Sequence, residues 1–259
     1  MEPTKHPVIL VVATLMISAT TGAAEPDFAS QRRQMVAEVA AMARETGSET
    51  GRPRFSDAVM RAMESVPRHR FVPDAAIGSA YRNRPLAIGN GQTISQPYIV
   101  ALSTELIDPE PGDTVLEVGT GSGYQAAVLA ELVGRVYSIE IIEPLGRQAA
   151  ERLAALGYRN VEVRIGDGYQ GWPERAPFDA IVVTAAAPYI PEPLLAQLKP
   201  GGRMIIPVGR RDEGQEMLLV SKGEDGSLQT RTVIPVRFVP LTGEGAASSP
   251  PSRPAPGPR

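Results

Sequence analysis

Glu117-Val118-Gly119-Thr120-Gly121-Ser122-Gly123 is the stretch best suited to holding a ligand. Glycines at alternate positions let the backbone turn tightly and approach a bound molecule closely. The spacing is G-x-G-x-G. A dinucleotide fingerprint, G-x-G-x-x-G, would need glycine at position 124, where Tyr124 stands. A pyrophosphate is therefore disfavoured, and the acid Glu117 ahead of the glycines suits a cationic ligand better. Two further acids follow apolar runs: Glu140 closes Val136-Tyr137-Ser138-Ile139, and Asp167 stands in Gly166-Asp167-Gly168. The bland alternatives are a strand-to-helix turn, a solvated strand end and an Asp-Gly turn. Glycines and Glu140 together in matching strand contexts argue against the first two, while at Asp167 a turn and a ligand contact can both hold, since such turns place side chains at a sheet's C-terminal edge.

The residue inventory removes other chemistries. Cysteine is absent, which excludes thiol nucleophiles, thiolate metal sites and disulfides. The two histidines, His6 and His69, cannot form a His-rich metal centre, and only His69 could serve a Ser-His-Asp triad. Net charge is -3 and the pI is about 5.6, so no basic balance points to nucleic acid.

The elements that must position these residues alternate along the chain. Helical spacing covers residues 31–44, with Met35, Val36, Val39 and Met42 near one face. A second helix is expected over residues 57–65, stopping before Val66-Pro67. Strands are expected at 114–118, 136–139, 161–165, 178–184 and 203–208. Helices are expected at 124–132, 144–156 and 192–198, the second closed by Gly157 and the third ending at Pro200-Gly201-Gly202. Residues 217–221 and 232–238 read as late strands. This alternation predicts an α/β fold: a doubly wound, mostly parallel sheet with helices on both faces and antiparallel strands added at one edge. Residues 89–97 form a polar stretch without a strand or helix pattern.

Both ends differ from the middle. Lys5 and His6 precede an apolar run, Pro7 to Ile17, and small residues up to Ala24, the order of a secretory leader. The fully apolar part is short for a membrane span. Residues 243–259 are rich in Gly, Ala, Ser and Pro and are expected to be disordered. The expected domains are thus a leader-like segment (1–24), a catalytic domain with a helical N-terminal part (25–242) and a Pro-rich tail (243–259).

Several separate segments together resemble one family. The glycine loop is similar to that of class I S-adenosylmethionine-dependent methyltransferases, whose sheet is Rossmann-like. Gly89-Asn90-Gly91-Gln92-Thr93-Ile94-Ser95-Gln96-Pro97 and Gly166-Asp167-Gly168-Tyr169-Gln170-Gly171-Trp172, continued by Ala176-Pro177-Phe178-Asp179-Ala180-Ile181, resemble signature segments of the protein-L-isoaspartate O-methyltransferases. Val66-Pro67-Arg68-His69-Arg70-Phe71-Val72-Pro73 and Pro235-Val236-Arg237-Phe238-Val239-Pro240-Leu241 are similar to two more. The resemblance spans roughly residues 31–243. Ala87 departs from it, since proline is expected there.

The resemblance implies a methyl transfer from S-adenosylmethionine, without a metal, to the free α-carboxyl of L-isoaspartyl residues in damaged proteins. Glu117, Gly119, Thr120, Gly121, Gly123, Glu140, Asp167 and Gly168 would hold the cofactor, Glu140 accepting from the ribose hydroxyls and Asp167 meeting the adenine amino group. Ser95 would be the active-site serine, assisted by Thr93. Without the resemblance, Ser95 would read as a loop serine bonding its own backbone. A nucleic-acid methyltransferase fits less well: there is no Cys, and Thr184-Ala185-Ala186-Ala187-Pro188 stands where an Asn-Pro-Pro-Tyr-like segment would be. A dinucleotide oxidoreductase fails at Tyr124, and a binding module without chemistry is disfavoured by Ser95. The expected partners are isoaspartyl proteins, with no nucleic acid, no stable membrane association after leader removal, and a monomeric state. Export follows from the leader-like start; the alternative is the cytoplasm, as is usual for the family.

Overall fold

Side chains alternate across each inner strand, and the computed structural model, which describes residues 27–210 and 212–247, sorts them onto two separate cores. The leader-like segment lies outside the described residues. The N-terminal part holds α1 (Phe28–Glu45), α2 (Gly47–Thr50) and α3 (Asp57–Ser65), then a hairpin of β1 (Leu86–Gly89) and β2 (Gln92–Ile94), and α4 (Pro97–Leu106). The alternating part follows as β3 (Thr114–Val118), α5 (Tyr124–Ala130), β4 (Arg135–Glu140), α6 (Glu143–Ala155), β5 (Val161–Ile165), β6 (Phe178–Val183), α7 (Glu192–Gln197), β7 (Leu198–Val208), β8 (Gln215–Lys222) and β9 (Leu228–Val236).

The main sheet has the order β5-β4-β3-β6-β7-β8-β9. Strands β5 to β7 run parallel, while β8 and β9 add as an antiparallel meander at one edge. This is the expected architecture. Val115, Ala180, Val182 and Ile205 face one core, shared with α1, α3, α4 and α5. Leu116, Val118, Ile181, Val183, Met204 and Ile206 face the other, with Trp172, Phe178 and Leu194 of α7. Burial on both faces explains why these strands read as unbroken apolar runs.

Local chemistry sets the helix ends. The Asp27 carboxylate accepts from Ser30 N, the Ser56 hydroxyl accepts from Val59 N, and Gly157 (φ +88°) turns the chain after α6.

Several expectations change. Residues 89–97 are not patternless, because β1 and β2 pair across Asn90 (φ 51°) and Gly91 (φ 71°), both left-handed as a two-residue type I′ hairpin needs. Helix α4 carries no amphipathic period in the sequence, because it is buried nearly all round. Strand β7 begins at Leu198 and runs through Pro200-Gly201-Gly202 with a register break, rather than starting at Arg203. Strand β9 begins at Leu228, where exposed Gln229, Thr230 and Arg231 hide it, and ends at Val236. The chain also remains structured past Gly243, with a 3-10 turn at Glu244–Ala247. Among the described residues no helix is long and apolar enough to cross a membrane.

Candidate active site

The parallel strands deliver their C-terminal ends to one edge, the usual ligand position in such sheets. At the end of β3, Gly119, Gly121 and Gly123 have φ of +99°, +52° and +87°. A Cβ on Gly119 would sit 2.4 Å from Thr184 Oγ1, and one on Gly168 would sit 2.4 Å from Val118 Cγ1. Thr184, just after β6, donates its hydroxyl to Gly119 O (2.5 Å) and Val118 O (3.1 Å). Gly119 N and Thr120 N both donate to Ile139 O, at 2.8 and 3.2 Å. Glu140 completes the clamp: Oε2 accepts from Gly121 N (2.8 Å) and Oε1 from Ile142 N (2.9 Å). Each oxygen retains a lone pair for a ligand hydroxyl.

Gly119, Gly121, Glu140 and Gly168 line one cleft with Thr93, Ile141 and Leu241. Among the described residues no Lys or Arg lines it, so they offer no countercharge for phosphate. Ile141 is 38 % exposed, an apolar side chain placed for a flat apolar group.

Glu117 lies behind the glycines, on a small adjoining cavity with Thr120, Tyr124 and Gln125. It is fully buried. One carboxylate oxygen accepts from the Ser138 hydroxyl, which pairs with Thr120 Oγ1 at 2.5 Å; the other oxygen, Oε1, has no partner. Burial pushes this carboxyl up to about 8, the Ser138 hydrogen bond pulls it down, nearby Glu140 pushes it up, and the Ala126 backbone N–H pulls it down. A buried acid beside this cleft, mostly protonated at neutral pH, can release its proton to meet a cationic ligand.

Gly123 packs behind the loop, its Cβ position 3.2 Å from Leu153. Asp167 lines none of these cavities; its oxygens accept from Tyr169 N (2.9 Å) and Glu244 N (2.8 Å). It holds the start of a 3-10 turn and the Gly243–Glu244 segment together.

A larger cavity of about 420 Å³ adjoins the cleft, and Thr93 and Thr184 stand on both and on the small cavity. The hairpin carries Thr93, and Ser95 follows β2 directly, lining the large and small cavities. Neither hydroxyl has a hydrogen-bond partner among the described residues, which leaves both free as donors. Arg237 is the only ionisable residue lining the large cavity, among the described residues. The Ser95 backbone is fixed from behind: its carbonyl accepts from Arg68 Nη2 at 2.8 Å. Arg68 is fully buried, also donates Nε to Ala80 O (2.8 Å), and lies 4.7 Å over the Tyr124 ring.

His69 is elsewhere, stacked 3.9 Å from Phe28 and bonded to Tyr81 Oη at 2.8 Å. Among the described residues no histidine therefore stands beside Ser95 to activate it as a nucleophile. Thr184, Ile141, Arg68 and Arg237 were given no role by the sequence. Only Thr184 had a local signal, as the first polar residue after a buried strand.

Comparison with known proteins points to one family. The family profile for protein-L-isoaspartate(D-aspartate) O-methyltransferase matches residues 48–246. Protein-L-isoaspartate O-methyltransferase 1 of Cupriavidus necator is 58% identical over 238 residues, covering 92% of each chain. Protein-L-isoaspartate O-methyltransferase 2 of Polaromonas sp. is 62% identical over 210 residues, covering 81% of this chain and 100% of that one. Among solved structures, a protein-L-isoaspartate O-methyltransferase superposes with a TM-score of 0.73 at 30% identity, over 83% of this chain and 67% of that one. A Plasmodium falciparum beta-aspartate methyltransferase structure, in complex with S-adenosyl-L-homocysteine, shares the fold at a TM-score of 0.67 and 24% identity, over 84% of this chain and 99% of that one.

Proposed function

Because the chain belongs to the protein-L-isoaspartate O-methyltransferase family, we propose that it methylates the free α-carboxyl of L-isoaspartyl residues in damaged proteins, using S-adenosyl-L-methionine. One observation carries the reading. A cation-free cleft with an orphaned acid behind it meets, at Thr93 and Thr184, a second cavity bearing Ser95 and one arginine. Methyl donor and carboxylate acceptor thus have separate seats that share a wall.

The cofactor supplies an electrophilic methyl group on a sulfonium. The glycine loop, Glu140 and Gly168 would hold it, with Glu117 as a charge partner behind Thr120. The acceptor needs no general base, since an α-carboxyl with an ordinary pKa of about 3.3–3.7 is already ionised at neutral pH. The work of Ser95 and Thr93 is to donate hydrogen bonds that aim one carboxylate oxygen. Alignment of oxygen, methyl carbon and sulfur supplies most of the rate enhancement. Arg237 adds attraction for a charged acceptor, which the neutral ester product no longer feels. The ester is then the better leaving group, and the next backbone nitrogen closes a succinimide without help from the enzyme.

Replacing Ser95 tests the assignment. A hydrogen bond to a charged group contributes about 1.5–3 kcal/mol, so Ser95→Ala should lower kcat roughly ten- to a hundredfold with cofactor affinity unchanged. Wild-type turnover in Ser95→Ala would remove the role.

We also propose export, from the leader-like order of residues 1–24. A chain recovered from the cytoplasmic fraction with Met1 intact would overturn it.

A further inference from the structure

The hairpin that carries the catalytic hydroxyls has Asn90-Gly91 at its tip, the one Asn-Gly pair in the sequence. We propose that Asn90 is a site of spontaneous deamidation in this enzyme, and that its isoaspartyl product is a substrate for a second copy of the same chain. The second half rests on the function proposed above.

The chemistry needs only water. The backbone nitrogen of Gly91 attacks Asn90 Cγ, the new N–Cγ bond forms, the Cγ–Nδ2 bond breaks, and ammonia leaves with the displaced proton. Every atom of the resulting five-membered succinimide is already adjacent in the chain. Water then opens the ring. Attack at the former side-chain carbonyl gives aspartate. Attack at the former main-chain carbonyl gives isoaspartate, with the chain running through the side-chain carbon and a free α-carboxylate.

Neither burial, hydrogen bonding nor side-chain bulk opposes the attack at this position. Asn90 and Gly91 are both exposed. The Asn90 amide makes no hydrogen bond, and Gly91 N–H has no protein acceptor among the described residues. A Cβ at Gly91 would meet nothing within 4 Å, and as glycine it offers no side chain to hinder the attacking nitrogen. The other asparagines are held or followed by bulky residues. Asn160 Nδ2 donates to Ala130 O and Val133 O, and Val161 follows it. Asn83 Oδ1 accepts from Tyr98 N, Asn83 Nδ2 reaches Met42 Sδ, and Arg84 follows it.

Isoaspartate at position 90 would cost activity. It adds one methylene to the main chain of a two-residue turn, whose geometry fixes the register of β1 on β2. Gln92 and Thr93, next along the chain, line the cleft. The tip itself lines no cavity, but the chain runs from it straight into Gln92 and Thr93 on the cleft wall, so a second molecule must present the active site to it.

The test uses the full chain, held at neutral pH and physiological temperature for increasing times and mapped by protease digestion and mass spectrometry. Fresh enzyme with methyl-labelled S-adenosylmethionine is then offered the aged protein and, in parallel, a synthetic isoaspartyl peptide. Asn90→Gly, which tolerates the left-handed turn but cannot cyclise, is aged alongside. Expected are isoaspartate at position 90 but not at 83 or 160, and a loss of turnover in proportion to it. Base-labile label should appear on the fragment containing position 90, and Asn90→Gly should keep its turnover. Intact Asn90 after turnover has fallen would overturn the inference. So would an aged protein left unlabelled by a preparation that labels the peptide. A preparation that labels neither would instead sink the proposed function, and the repair step with it.

Discussion

Glu117 shows how far one residue's surroundings can reach. Its carboxyl is raised to about 8 by burial, against an ordinary value of 4.5. Between those two values the folded protein keeps a proton that the unfolded chain has released. Its contribution to stability is therefore greatest below about pH 4.5 and is lost as pH rises to about 8. The slope from this one group is at most about 1.4 kcal/mol per pH unit. Glu117→Gln, which imitates the neutral acid, should flatten that slope in denaturant titrations repeated across the range. Equal slopes in both proteins would show that Glu117 keeps its charge in the fold. The same proton couples to the cofactor. A cation held near Glu117 favours the ionised form, so binding should release a proton and affinity should climb as pH rises towards about 8. Calorimetry in buffers of different ionisation enthalpy would reveal the release, and Glu117→Gln should abolish it.

The connections between elements do the positioning, and they were unevenly legible. The glycine loop could be read because its backbone demands glycine: Gly119 has both a left-handed φ and Thr184 Oγ1 where a Cβ would go. Gly119→Ala should weaken cofactor binding at least tenfold and cost about 1–3 kcal/mol of stability. Gly112→Ala, with open space and no positive φ, should do neither. Cofactor titration and thermal melts on the pair would check both. If Gly119→Ala bound cofactor normally, the cleft would lie elsewhere. The Asn90-Gly91 turn was equally written in the sequence, but its flanking strands are too short to show alternation. Helix α4 could not be read by periodicity at all, since burial on every side leaves no polar face. Thr184 and Asp167 show the remaining limit. Whether a polar residue after a strand faces a ligand or its own backbone depends on contacts far along the chain, such as Glu244 N on Asp167.

Across the whole molecule, the N-terminal part and helix α5 meet at Arg68. Its guanidinium reaches the carbonyls of Ala80 and Ser95 and the ring of Tyr124 from a fully buried position. The sequence showed Arg68 within a family segment but not this tie, because its partners lie 12 and 27 residues away. Arg68→Met strands buried acceptors, at about 1–3 kcal/mol each, and should lower the unfolding free energy by about 3 kcal/mol in urea. An unchanged midpoint would mean that the tie contributes nothing. The most direct test of the whole account concerns the substrate. Two peptides differing in a single linkage, isoaspartyl or normal aspartyl, would be incubated with the enzyme and methyl-labelled S-adenosylmethionine. Base-labile label on the isoaspartyl peptide alone is the expected result. Label on both peptides, or on neither while the cofactor still binds, would contradict it.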